Sequence, residues 1–320
     1  MMDLVIQAPA VSAADLAAIA TLAGAHEITA LATERAPADR HPAPRNPALR
    51  EAQPGTADHH HAANAAKPGA ENERGPQAYR LRQVATRAGI AEFCAVAEID
   101  HAFVRADLAR ARVCLVVTDM DSTLITIECI DEIADMQGIK SQVAAITAAS
   151  MRGEIDFEES LVRRVALLAG LPVAALQRVY DERLRLSPGA ERMLAGFKEV
   201  GARTLLVSGG FTFFTDRLKA RLRFDDTASN TLEIADGRLT GRLSGPIVDA
   251  REKAARLRAL RQHVCGDGGI AVAIGDGAND LAMLKAADVS VAYRAKPVVR
   301  AEATYAIDHC GLDAVLNLFA

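Results

Sequence analysis

Three short apolar runs, Val113–Val117, Thr204–Val207 and Ile270–Ile274, each end directly before a cluster of Asp, Ser or Gly. Runs of this kind, separated by helical patterns, are what a parallel sheet with crossover helices requires. A fourth run, Val289–Ala292, belongs to the same series. Ligands of open α/β sheets bind at the carboxyl ends of the strands, so the three clusters are expected to meet at one crevice. No comparable run occurs between Ile125 and Leu186, where helical patterns cover Glu128–Ala149, Asp156–Ala169 and Pro172–Leu184. They predict a helical insertion placed where it can cover the crevice as a lid.

Ahead of this region, Asp3–Ala8 and Glu27–Thr33 read as strands and Ala13–Ala23 as an Ala-rich helix opened by a Ser12 cap. Tyr79–Ala85 resumes a strand pattern, and Ile90–Ala109 reads as helical. Between Ala36 and Ala78 the only large apolar residue is Leu49, and seven of the chain's twelve prolines fall there. Such a segment buries too little apolar surface to offset its ordering entropy, which predicts a disordered insertion at about 36–77. The triplet His59-His60-His61 lies inside it and reads as solvated loop, because nothing nearby would fix the rings around a metal. The expected class is α/β: a Rossmann-like parallel sheet core at 111–320 with a helical cap at about 126–187, preceded by a small α+β domain at 1–110.

Half the residues are hydrophobic and 24% are charged, ample material for a core. The formal net charge of −4, with no basic stripe, argues against a nucleic-acid partner. No run of eighteen apolar residues exists and Met1-Met2-Asp3 lacks the form of a secretory signal, so no membrane role is expected and the chain reads as cytoplasmic. A homo-oligomer is left open. Cys94, Cys114, Cys129, Cys265 and Cys310 are odd in number, scattered and without a Cys-x-x-Cys pair, which predicts buried thiols.

The first cluster is Asp119-Met120-Asp121-Ser122-Thr123. Two carboxylates at a strand end repel each other unless a cation or substrate compensates them. A calcium loop counted from Asp119 would need Gly and Glu where Leu124 and Ile130 stand, so that reading fails. Ser208-Gly209-Gly210-Phe211 offers a hydroxyl and bare amides to an anion, although Ser-Gly-Gly is also an ordinary turn. Lys253 opens a helical pattern over Glu252–His263 and by itself is an ordinary surface lysine. In Gly275-Asp276-Gly277-Ala278-Asn279-Asp280 a dinucleotide fingerprint would put Gly at Asp280, and no phosphate-cradling Gly-Lys-Ser/Thr loop exists elsewhere. What remains is a third carboxylate at a strand end, suited to a hard cation.

In this order the four elements resemble the haloacid dehalogenase-like phosphotransferases, over about Val113 to Lys296. The insertion is similar to that of the phosphoserine phosphatases, on Glu128-Cys129-Ile130-Asp131-Glu132, Met151-Arg152-Gly153-Glu154-Ile155-Asp156-Phe157, Arg163-Arg164-Val165 and the stretch Ala292–Pro297. The N-terminal part resembles amino-acid-binding ACT-like modules. The resemblance implies Mg²⁺-dependent hydrolysis of a small-molecule substrate, O-phospho-L-serine, as the last step of serine biosynthesis. It implies Asp119 as nucleophile, Asp121 as acid and base, and Mg²⁺ on Asp119, Asp121 and Asp276. Ser208, Gly209 and Lys253 would hold the phosphate, while Asn279, Asp280 and Thr123 would orient that shell. Glu128 would bind the substrate ammonium and Arg164 its carboxylate, with Met151 and Phe157 closing over them; the charges alone would otherwise be a solvated helix face. Alternatives are a phosphatase or phosphotransferase of the same superfamily acting on another small phosphorylated metabolite, or an amino-acid-sensing regulator with an inert phosphatase part. Against the latter, every catalytic position is filled.

Overall fold

A computed structural model describes residues 2–31 and 77–319. The insertion expected at about 36–77 and His59-His60-His61 lie outside the described residues, apart from Gln77. The main sheet has the order β11-β10-β9-β5-β6-β7-β8. Its strands are β5 (Val113–Thr118), β6 (Arg203–Phe211), β7 (Asp226–Ala235), β8 (Arg238–Ser244), β9 (Ile270–Gly275), β10 (Val289–Tyr293) and β11 (Tyr305–Ile307). All neighbours pair in parallel except β7 and β8. Every residue of β9 is buried, as strands covered on both faces require. After β5 the chain adds strands on one side, then returns through α9 (Ala250–Val264) to lay β9 on the other. The carboxyl end of β5 is therefore the switch point at which an open α/β sheet binds its ligand.

Between β5 and β6 lie α3 (Cys129–Met136), α4 (Lys140–Met151), α5 (Phe157–Ala166) and α6 (Val173–Arg178), followed by a wide turn at Val179–Arg183. The pattern expected as one helix from Glu128 to Ala149 is two, because Gly138 takes a left-handed backbone (φ 71°) and turns the chain. Asp156 caps α5 by accepting from the Glu159 amide at 2.8 Å. The insertion is joined to the sheet by a two-stranded stem, Ile125 opposite Leu186, with Thr126 N–H on Arg185 and Ser187 N–H on Leu124. It is held a second time by the β7–β8 hairpin: Gly170 N–H donates to Leu239 and Leu239 N–H to Leu171, each at 2.8 Å.

The N-terminal sheet is antiparallel, with order β2-β3-β1-β4, built from β1 (Met2–Ala8), β2 (Glu27–Leu31), β3 (Gln77–Arg82) and β4 (Asp100–Arg105). Helices α1 (Ala13–Ala23) and α2 (Ile90–Val96) share a core with Leu4, Ile6, Leu81 and Cys94, while Val5, Ala102 and Val104 join the main core. This is a β-α-β-β-α-β arrangement. One expectation is corrected: Ile90–Ala109 is not helical throughout. Glu98, with φ 54°, ends the turn after α2, and Asp100–Arg105 alternates its burial as a strand paired to β1. The Asp100 carboxylate accepts from the amides of Asp308 and Cys310 at 2.8 and 2.9 Å, which fastens this sheet to the segment after β11.

The cysteine expectation holds for Cys94, Cys129 and Cys310, which are buried thiols. Cys114 and Cys265 instead form a disulfide, with Cα atoms 5.3 Å apart across 151 residues of sequence. Their closeness arises from α9 leading into β9 beside β5, a long-range pairing that sequence spacing does not encode.

Candidate active site

Asp119 leaves β5 with its N–H donating to the Ile274 carbonyl of β9 at 3.0 Å, so the ladder itself sets its position. Its Oδ1 accepts from Lys253 Nζ at 2.7 Å, and the same ammonium donates to Asp280 Oδ1 at 2.8 Å. All three side chains are buried, with relative exposures of 4%, 1% and 0%. Lys253 reaches them from the first turn of α9, which Asp249 caps through the Glu252 amide. Burial opposes the lysine's charge, but the two carboxylates outweigh it and hold the ammonium above its ordinary value. Burial and the Asp280 charge push the Asp119 carboxyl well up, against the pull of Lys253.

Asp276 sits at the end of β9, accepts from the buried Thr123 hydroxyl at 2.8 Å, and is pushed by burial up to about 6. Oxygens of Asp119, Asp276 and Asp280 all lie within 4.8 Å of one another. Asp280 Oδ2 already accepts from Gly277 N–H at 3.1 Å, so both its oxygens are engaged. Among the described residues, Asp119 and Asp276 each keep one carboxylate oxygen without a hydrogen bond. Two buried carboxylates, Asp119 and Asp280, share one ammonium, and the half-buried Asp276 lies beside them, a hard-oxygen donor set short of positive charge that fits a divalent cation. The Asp121 side chain is not part of this group; its Oδ1 faces the Cys129 amide at 3.4 Å. Burial and then Glu128 push the Asp121 carboxyl up to about 7.

Ser208 is buried at 1% exposure, and its Oγ accepts from Gly210 N–H at 2.8 Å. Gly210 leaves little room for a side chain, since a Cβ there would lie 3.0 Å from Asp121 Oδ2 and from Ser208 Oγ and 2.8 Å from the tip of Met120. Gly277 likewise leaves room for Asn279, whose Oδ1 would lie 2.1 Å from a Cβ there. The Phe157 ring reaches over Gly209, 3.1 Å from where a Cβ would stand. Glu128 begins α3 and accepts from the Ser122 hydroxyl at 2.6 Å. Burial raises its carboxyl and lowers the Arg164 guanidinium, and each charge partly offsets the other's shift. Met151 stands 72% exposed at the end of α4, so the structure does not enclose it with the others.

The sequence-derived residues Asp119, Asp121, Thr123, Glu128, Phe157, Arg164, Ser208, Gly209, Lys253, Asp276, Asn279 and Asp280 thus gather at the carboxyl ends of β5, β6 and β9. Sequence reasoning missed Ser122, whose left-handed backbone (φ 56°) aims its hydroxyl at Glu128; nothing in the sequence signals that pairing. It counted Gly210 among the bare amides offered to an anion and not as a point of close approach to Asp121, which a glycine in a strand can mark.

The sequence-family model described as haloacid dehalogenase-like hydrolase matches residues 116–285, and a domain of unknown function matches residues 4–52. A phosphoserine phosphatase of Polaromonas sp. strain JS666 is 55% identical over 213 residues, covering 64% of this chain and 89% of that protein. The unliganded crystal structure of a protein described as probable phosphoserine phosphatase from Vibrio cholerae superposes with a TM-score of 0.75 at 31% identity, over 99% of this chain and 85% of that one. A substrate-bound phosphoserine phosphatase complex superposes with a TM-score of 0.59 at 34% identity, over 65% of this chain and 99% of the other.

Proposed function

The chain belongs to the haloacid dehalogenase-like hydrolases and is a phosphatase, and from that premise we propose that it hydrolyses O-phospho-L-serine to L-serine and phosphate. The observation that carries the substrate is the placing of Glu128, open to solvent, and the half-buried Arg164, each near enough to Asp121 for the charges to act on one another. A carboxylate and a guanidinium are the complements of an amino acid's ammonium and carboxylate. Release of free serine would place the reaction at the end of serine synthesis, and the charged substrate suits a cytoplasmic enzyme. No helix among the described residues is long and apolar enough to cross a membrane.

In this reading Asp119 attacks phosphorus, an aspartyl-phosphate forms, and the bond from phosphorus to the serine oxygen breaks. Asp121, in its protonated form, gives its proton to that oxygen. Water then attacks the aspartyl-phosphate while Asp121 takes a proton from it, freeing phosphate and restoring Asp119. A carboxyl pushed up to about 7 can serve in both directions near neutral pH. Ser208 and the Gly209 amide hold phosphate oxygens, and Lys253 offsets charge between nucleophile and phosphate. Thr123 and Asp280 fix Asp276 and Lys253 in place. Mg²⁺, held by Asp119, the Asp121 carbonyl oxygen and Asp276, would supply positive charge against the phosphate oxygens. Chelation should silence turnover and added Mg²⁺ restore it; full activity in excess chelator would contradict the assignment.

The substrate reading is tested at Arg164. Arg164→Ala removes a charge-assisted contact worth roughly 1.5–3 kcal/mol, so kcat/KM for phosphoserine should fall on the order of 10- to 150-fold. An aryl phosphate lacks the carboxylate, and its hydrolysis should change by less than about threefold. Equal losses on both substrates would mean that Arg164 supports the cap or the catalytic core instead.

A further inference from the structure

The ladder between β6 and β7 is regular up to Val207 opposite Ala228, then resumes only at Phe211 opposite Asn230. Ser208, Gly209 and Gly210 therefore stand clear of the ladder, which frees this loop to face a ligand. It also takes the Gly209 carbonyl away from any strand partner, a cost unless another donor replaces the ladder bond. The Asn230 side chain is that donor: its Nδ2 donates to the Gly209 carbonyl at 2.8 Å. Its Oδ1 accepts from Val248 N–H, also at 2.8 Å, and the residue is 1% exposed. Val248 immediately precedes Asp249, the cap of α9, the helix that delivers Lys253. One buried amide thus ties the Ser208–Gly209 loop to the start of the lysine helix. The loop has little slack, since a Cβ on Gly209 would lie 3.1 Å from the Phe157 ring and 3.9 Å from the Val248 carbonyl oxygen.

We propose that Asn230 is a positioning residue for phosphoryl transfer, fixing the Ser208–Gly209 loop relative to Lys253 by bonding both Gly209 and Val248. The proposal rests on the reading that this loop holds the phosphoryl group. Asn230 acts through the backbone and does not touch the substrate. Only a side chain with one donor and one acceptor at this reach satisfies both partners; Asp keeps the acceptor toward Val248 but places an oxygen against the Gly209 carbonyl.

The test compares wild type with Asn230→Asp, which preserves shape, and Asn230→Ala, with fold checked by circular dichroism and unfolding midpoint. Displacement of the loop should lower kcat by about 10- to 100-fold on phosphoserine and on an aryl phosphate alike. The ratio between the two substrates should stay within about threefold of wild type, unlike the Arg164 result. Affinity for inorganic phosphate, measured by titration calorimetry, should fall with kcat, which a merely structural role would not produce in a folded variant. A folded Asn230→Asp enzyme with wild-type kcat and phosphate affinity overturns the proposal, as does a loss confined to phosphoserine. If wild type cleaves the aryl ester and not phosphoserine, the substrate reading fails while the aryl ester and phosphate arms still decide the role of Asn230.

Discussion

Replacing Asp119 with Asn is expected to lower phosphate release by at least about a thousandfold in kcat, because an amide is too weak a nucleophile to form the covalent intermediate. The substitution conserves shape, and Lys253 keeps the side-chain oxygen as an acceptor, so the variant should fold with an unfolding midpoint close to that of wild type. Asp119 is 4% exposed and carries a carboxyl pushed upward by its surroundings, so neutralising it relieves charge crowding rather than breaking the core. Steady-state phosphate release from phosphoserine checks the expectation. Turnover within tenfold of wild type, by order of magnitude, would remove Asp119 from the chemistry.

Lys253→Met should be the most destabilising single change at the site. It leaves Asp119 and Asp280, exposed by only 4% and 0%, without the ammonium that bridges them at 2.7 and 2.8 Å. Removing one partner of a buried ionic group costs about 3–5 kcal/mol, because the remaining charge is neither solvated nor paired. Urea unfolding at neutral pH should show that loss. The deficit should shrink as pH falls and the raised Asp119 carboxyl takes up a proton, since protonation removes the uncompensated charge. Adding Asp280→Asn should recover part of the stability by deleting one orphaned carboxylate, while turnover stays low. A Lys253→Met protein as stable as wild type would mean that the lysine is not the counter-ion of this cluster.

The catalytic end of the molecule was legible because its chemistry sits at strand termini. Asp119, Ser208 and Asp276 follow or finish apolar runs, so a one-dimensional pattern suffices to place them at one edge of a sheet. What escaped depends on pairing between distant segments. Asp100–Arg105 follows directly on a helical stretch, and its strand character comes from lying beside β1. The β7–β8 hairpin carried a local signal, Asp236-Gly237, both with positive φ, which is the preferred two-residue hairpin turn. Asn230 and the Cys114–Cys265 bond carried none, because each acquires its partners only when the sheet closes. Ser122 belongs to the same class, because its neighbour Glu128 is fixed by the turn after β5.

A single measurement joins substrate to nucleophile: acid quench of the wild-type enzyme during turnover of phosphoryl-labelled O-phospho-L-serine, followed by mapping of the labelled peptide. An acid-stable, base-labile acyl-phosphate is expected on Asp119 and is expected to be absent from Asp119→Asn. Steady turnover of phosphoserine with no label on Asp119, or with label on another residue such as Ser208, would contradict it.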